Sequence, residues 1–220
     1  MAERHRLGSG TGLWSLAFVA LTLGLQWLPG AAEHWQFVRT AYAAGAWWQL
    51  LTAQWVHLGT PHAVANALGM VALLRAFQGL VSGRMQVLAL LGGYAGVAVA
   101  LALDPHCAVY AGASGALHGL LAGSAVALLV SPPQLPMTRQ RMHILAGCVL
   151  LGLAAKLLVQ HFDTSPSATG WLGITSYDRA HEAGALGGLL AVVLGVLVLP
   201  LAVRSVRMRR AAGPGAGGQQ

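Results

Sequence analysis

The residues best suited to chemistry stand inside long apolar runs. Ser114 occupies Gly112-Ala113-Ser114-Gly115, where the small neighbours leave its hydroxyl open to another group. A serine hydroxyl becomes a nucleophile when a base takes its proton and donors face the oxygen that gains charge. Three groups are candidates for that base: His181, His118 and Lys156. His118 lies four residues after Ser114 on the same helical face, which constrains it. A base on a facing helix, such as His181, can be aimed independently. His62 and Asn66 are one helical turn apart and present two donors on one face. The Ser114 amide joins them if the serine opens a helix, where unpaired N–H groups and the helix dipole favour negative charge. Lys156 and Glu182 suit a buried ion pair, each lowering the cost of the other. Every one of these groups also has an ordinary explanation. GxSG is a helix-packing motif, and a lone histidine or asparagine within a membrane often only bonds another helix.

The elements that must carry these groups belong to a membrane protein. Of 220 residues, 56% are hydrophobic and only 9% charged, too little charge to cover a soluble surface of this size. The 29 glycines suit helices that approach closely in lipid. A net charge of +7 raises the question of nucleic acid, but the basic residues flank apolar runs and form no stripe with interleaved aromatics. No nucleic-acid partner is expected. Cys107 falls in a loop and Cys148 in an apolar run, so no disulfide between them is expected.

Apolar runs at about 13–28, 62–77, 85–103, 112–130, 143–160 and 180–203 come close to the length of about 20 residues that a bilayer core demands. Pro29-Gly30, Ser82-Gly83, Asp104-Pro105, Ser131-Pro132-Pro133 and the polar stretch 163–178 separate them. The first run reads as an uncleaved signal anchor. With the N-terminus inside, the inner ends hold Arg4, Arg6, Arg75, Arg84, Arg139, Arg141, Arg204, Arg207, Arg209 and Arg210, against Arg39 and Arg179 outside. That is a clear positive-inside bias. Trp35, Trp47 and Trp48 of the first outer loop read as interfacial anchors. In this topology the second, fourth and sixth runs all begin outside. His62, Asn66, Ser114, His118, His181 and Glu182 then share one layer with Lys156, near the outer face. Polar groups are costly in lipid, so this layer is the expected site.

These motifs resemble those of the rhomboid intramembrane serine proteases. His57-x4-His62-x3-Asn66, Gly112-x-Ser114-Gly115 and Ala180-His181-x2-Gly184 follow in the family's order on the second, fourth and sixth runs. The resemblance covers about residues 50–200. It implies an all-α membrane protein, a six-transmembrane-helix bundle with both termini cytoplasmic. It also implies Ser114 as nucleophile, His181 as general base, and an oxyanion hole of His62, Asn66 and the Ser114 amide. His57, His118, Gly112, Gly115 and Gly184 take supporting places. No metal or organic cofactor is implied.

Two departures stand out. The family's Trp-Arg pair in the first loop reads Trp48-Gln49, and a position that is commonly aromatic is His118. The run from Tyr110 to Gly119 is similar to the rhombosortase branch, whose members process secreted bacterial proteins with C-terminal Gly-Gly sorting tails. The expectation is therefore a serine endopeptidase of a bacterial inner membrane, active near the periplasmic face on transmembrane protein substrates. Its expected segments are a cytoplasmic segment 1–12, a membrane domain 13–203 and a basic, then Gly-rich disordered tail 204–220. The rival expectation is an inactive rhomboid-like protein that binds membrane clients.

Overall fold

The computed structural model describes residues 2–130, 137–162 and 177–211. The breaker 131–133, most of the polar stretch 163–178 and the Gly-rich end of the tail lie outside the described residues.

Helices form where the apolar runs stand, and local signals set their ends. Helix α1 (Ala2–Trp27) is followed by a short α2 (Ala31–Trp35), a strand β1 (Phe37–Val38) and the short helices α3 (Arg39–Ala43) and α4 (Gln49–Thr52). Helix α5 (Thr60–Ala76) carries Pro61 in its first turn, where a missing N–H costs nothing. Helix α6 (Gly83–Leu103) is capped by the Ser82 side chain, which accepts from the Met85 amide. It stops at Asp104-Pro105, because proline disfavours helix for the residue before it. Strand β2 (Val109–Tyr110) leads to α7 (Ser114–Val130), then α8 (Arg139–Phe162) and α9 (Asp178–Ala211). Helix α9 continues past the expected end at 203. The helix runs to Ala211.

Among the described residues, α6, α8 and the Asp178–Val198 part of α9 are long and apolar enough to cross a membrane. Shorter apolar helices cover Ser15–Trp27 and α7. Large apolar side chains such as Leu103 (76% exposed) and Leu151 (73% exposed) point outward, as lipid-facing residues do.

The centre is a seam of small residues where α6, α7 and α9 meet. Gly115, Gly119 and Gly123 recur every four residues on α7 and face Ala180, Gly184 and Gly188 of α9. A Cβ on Gly115 would stand 2.6 Å from the Ala180 carbonyl oxygen, and one on Gly119 2.7 Å from that of Gly184. On α6, Gly93 abuts Ala116 of α7, while Gly92 and Gly96 abut Gly187 and Ala183 of α9. Lipid is as apolar as a leucine side chain, so helix association here rests on such van der Waals contact.

Polar side chains hold the outer rim. Strands β1 and β2 pair antiparallel, with Phe37 opposite Tyr110 and Val38 opposite Val109. The Arg39 guanidinium donates to the Leu101 carbonyl at 2.5 Å, to that of Cys107 at 3.3 Å and to that of Asp104. It thereby satisfies the orphaned carbonyls that end α6. Gln49, standing at the altered Trp-Arg position, is buried, and its Oε1 accepts from the Val38 amide at 3.0 Å. Asp104 Oδ2 accepts from the Tyr177 hydroxyl at 2.7 Å and from Arg179 at 3.0 Å. The Tyr177 hydrogen bond, the His106 amide and the Arg179 charge hold the Asp104 carboxyl below its ordinary range. Burial pushes the Cys107 thiol up to about 11. Both cysteines are free. Trp47 and Trp48 remain exposed on the first loop, as interfacial anchors would.

Candidate active site

Ser114 is the first residue of α7, and the turn before it is built to expose it. Gly112 has φ +128°, a left-handed conformation that glycine favours, and an L side chain there would also strike the His62 ring at 2.5 Å. Three hydrogen bonds pin this turn. The Gly112 amide donates to the Ala53 carbonyl at 2.9 Å, the Tyr110 hydroxyl to the Gly112 carbonyl at 2.7 Å, and the Ala113 amide to His57 Nε2 at 3.4 Å.

The seam carries His181, in the first turn of α9, to the first turn of α7. Ser114 Oγ and His181 Nε2 stand 2.9 Å apart. At that distance an imidazole can take a hydroxyl proton. His181 is buried, and its ring stacks on His118 with centroids 4.3 Å apart and planes 20° apart. His118 does not face the Ser114 hydroxyl through Nδ1, because that nitrogen lies 2.7 Å from the Ser114 backbone carbonyl. Its ring forms a wall for His181.

His62 and Asn66 open α5 on the same side, both buried. The His62 ring lies against Gly112 and meets His57 edge-on at 4.9 Å. Asn66 Nδ2 donates to the His62 carbonyl at 2.9 Å, which leaves its second N–H for another acceptor. His57 Nδ1, His62 Nδ1 and Asn66 Oδ1 are buried without a hydrogen-bond partner among the described residues. Gly115 and Gly184 are seam residues that let α7 and α9 touch.

The expected Lys156–Glu182 pair does not form. Lys156 Nζ donates to Gln160 Oε1 at 2.5 Å, and Glu182 pairs with His161 at 2.9 Å. Gln160 and His161 are neighbours on α8; Lys156 meets the first one turn along its own helix, and Glu182 meets the second from α9. Two residues that sequence reasoning did not single out stand on the far side of the imidazole. His181 Nδ1 lies 3.3 Å from Gln160 Oε1 and 3.8 Å from Asp178 Oδ1. The sequence signals available were Gln160 four residues after Lys156 and Asp178 three before His181.

Fold and site together define a helical integral membrane protein with a partly buried serine–histidine contact. The family model for the Rhomboid domain matches residues 44–198, and the chain belongs to that family. It is similar to the rhomboid protease GluP of Bacillus subtilis (strain 168), 29% identical over 165 residues. That match covers 73% of this chain but 31% of GluP, so it spans under a third of that relative's length. No solved structure matches the chain at a significant level.

Proposed function

We propose that this protein is an intramembrane serine endopeptidase in which Ser114 and His181 form the catalytic dyad. The observation that carries the reading is the 2.9 Å approach of Ser114 Oγ to His181 Nε2. In the proposed reaction Ser114 Oγ attacks the scissile carbonyl while its proton passes to Nε2. The C–N bond then breaks, and that proton leaves on the departing amine. Water attacks the resulting acyl-enzyme and gives a proton to His181, which returns it to Ser114 Oγ as the acyl C–O bond breaks and the acid leaves. His62, the free N–H of Asn66 and the Ser114 amide are the proposed oxyanion donors, with His57 holding the turn beside them. The buried polar atoms left without partners on His57, His62 and Asn66 support a site completed by water or substrate.

The proposed architecture is a bundle of six transmembrane helices with both termini cytoplasmic, supported by the arginine distribution and the run of helices. The layer holding Ser114 then lies near the periplasmic face of a bacterial inner membrane, and the cut falls near the outer end of a substrate helix. The stretch Tyr110-x-Gly-x-Ser-Gly-x-Leu-His-Gly supports C-terminal Gly-Gly-type sorting tails as the substrate class. An inactive client-binding protein is the rival reading, and intact Ser114, His181, His62 and Asn66 weigh against it.

Covalent labelling by a fluorophosphonate tests the dyad. Folded wild-type protein is expected to label, Ser114→Ala and His181→Ala to lose labelling, and His118→Phe to keep a measurable fraction, since phenylalanine preserves the ring wall. Absence of labelling in folded wild-type protein would overturn the reading. A fatal His118→Phe beside a tolerated His181→Ala would move the base to His118. For the substrate class, the C-termini of secreted proteins are compared with and without Ser114. The expected change is confined to proteins with small-residue tails followed by an apolar helix.

A further inference from the structure

We infer that Gln160, clamped between Lys156 and Asp178, is the positioning residue that fixes the ring and tautomer of His181. This rests on the proposed dyad. An imidazole that accepts a proton at Nε2 must already carry one on Nδ1, and that N–H needs an acceptor. Gln160 Oε1, 3.3 Å away, is placed to supply it.

A side-chain amide can be turned end for end, so its orientation needs a cause. Here both ends supply one. The Lys156 ammonium only donates, and it donates to Oε1 at 2.5 Å. The Asp178 carboxylate only accepts, and Gln160 Nε2 donates to its Oδ1 at 3.1 Å. Turning the amide over would set NH2 against ammonium and oxygen against carboxylate. In the observed orientation the two lone pairs of Oε1 serve Lys156 and His181, and a hydrogen-bonded chain runs from Ser114 through His181 and Gln160 to Asp178.

When His181 gains the serine proton, its Nδ1–H bond to Gln160 becomes charge-assisted and stronger. Asp178 Oδ1, 3.8 Å from Nδ1, offsets the new positive charge, while Lys156 opposes it. The surroundings of Gln160 sharpen the point. Leu158 and Val159 beside it are 58% and 66% exposed on a face suited to lipid, where a polar amide is costly unless it has partners. A dyad lacks the carboxylate that orients the base of a triad. In this chain a neutral amide takes that place and relays a carboxylate behind it.

The test is the rate of fluorophosphonate labelling of the full-length purified protein, with the thermal midpoint measured on the same samples. Base catalysis contributes about 10²- to 10⁴-fold, so Gln160→Leu should slow labelling at least about tenfold. Gln160→Glu keeps an acceptor facing Nδ1 but sets a second carboxylate against Asp178, so it is paired with Asp178→Asn, whose amide can donate back; the double variant should stay within about threefold of wild type. Folded Gln160→Leu labelling at the wild-type rate sinks the inference, and so does the folded Gln160→Glu/Asp178→Asn double variant labelling no faster than Gln160→Leu. A second measurement needs no variant at Gln160. The ¹⁵N spectrum of the wild type, assigned by the signal lost in His181→Ala, should show His181 protonated at Nδ1. A spectrum dominated by the Nε2–H form overturns the inference. Labelling of Ser114→Ala equal to that of the wild type would instead mark failure of the dyad itself.

Discussion

Helix α9 is held in two contrasting ways. Along the seam, Gly184 and Gly188 meet α7 with no side chain between the backbones. At the rim, polar side chains reach its first turn from α6 and α8. Asp104 reaches Tyr177 and Arg179 from the end of α6, and Gln160 and His161 reach Asp178 and Glu182 from α8. The seam fixes how far His181 stands from Ser114. The rim acts on which way its ring faces. A bulky residue therefore breaks the first, whereas a change of charge or pH touches only the second.

The largest expected effect is on the seam. Gly184→Leu must push α9 off the Gly115 backbone, costing about 3 kcal/mol or more and abolishing labelling. Thermal unfolding in detergent with labelling of the same sample checks this, and retention of both would mean that the helices are not held by close approach. A smaller effect belongs to the outer rim. The Asp104 carboxyl lies below its ordinary value in the folded protein, so its stabilisation is complete above the unfolded value of about 3.9 and is lost as pH falls through the depressed folded value. Wild-type thermal stability should therefore decline across that acidic window. Asp104→Asn should be less stable at neutral pH and show a flatter acid profile. An identical pH profile in both proteins would remove Asp104 from the rim's stability. The smallest effect is a null. Because Lys156 and Glu182 have separate partners, Lys156→Met and Glu182→Gln should combine additively within about 0.5 kcal/mol. A larger coupling in a double-mutant cycle would restore the pair that the structure separates.

Close helix packing by small residues was legible in the sequence, the rim was not. Glycines at 115, 119 and 123 and at 184 and 188 carry a period of four that marks a helix face, and apolar runs with breakers mark the helices themselves. The expectation that the serine motif and the histidines share a layer came from letting helix direction alternate across a membrane, which needs no side-chain geometry. Gln160 carries no such periodic signal, and its role depends on where α8 lies beside α9. Arg39 read only as an outer charge, yet it caps the end of α6 from a distant loop. The Lys156–Glu182 expectation followed charge complementarity, while the partner of Lys156 stands one turn along its own helix. Long-range polar contacts depend on side-chain reach, and a periodic pattern does not encode reach.

Glycine at the seam also bears on heat. Glycines bring no side-chain torsions to the interface, so its closure surrenders no rotamer entropy there, and warming has no rotamers to release. The spacing between the Ser114 and His181 helices is then a property of backbone alone. The helix spacing should therefore hold on warming until the helices part, and any earlier loss of labelling would come from the polar rim, whose side chains do carry rotamers.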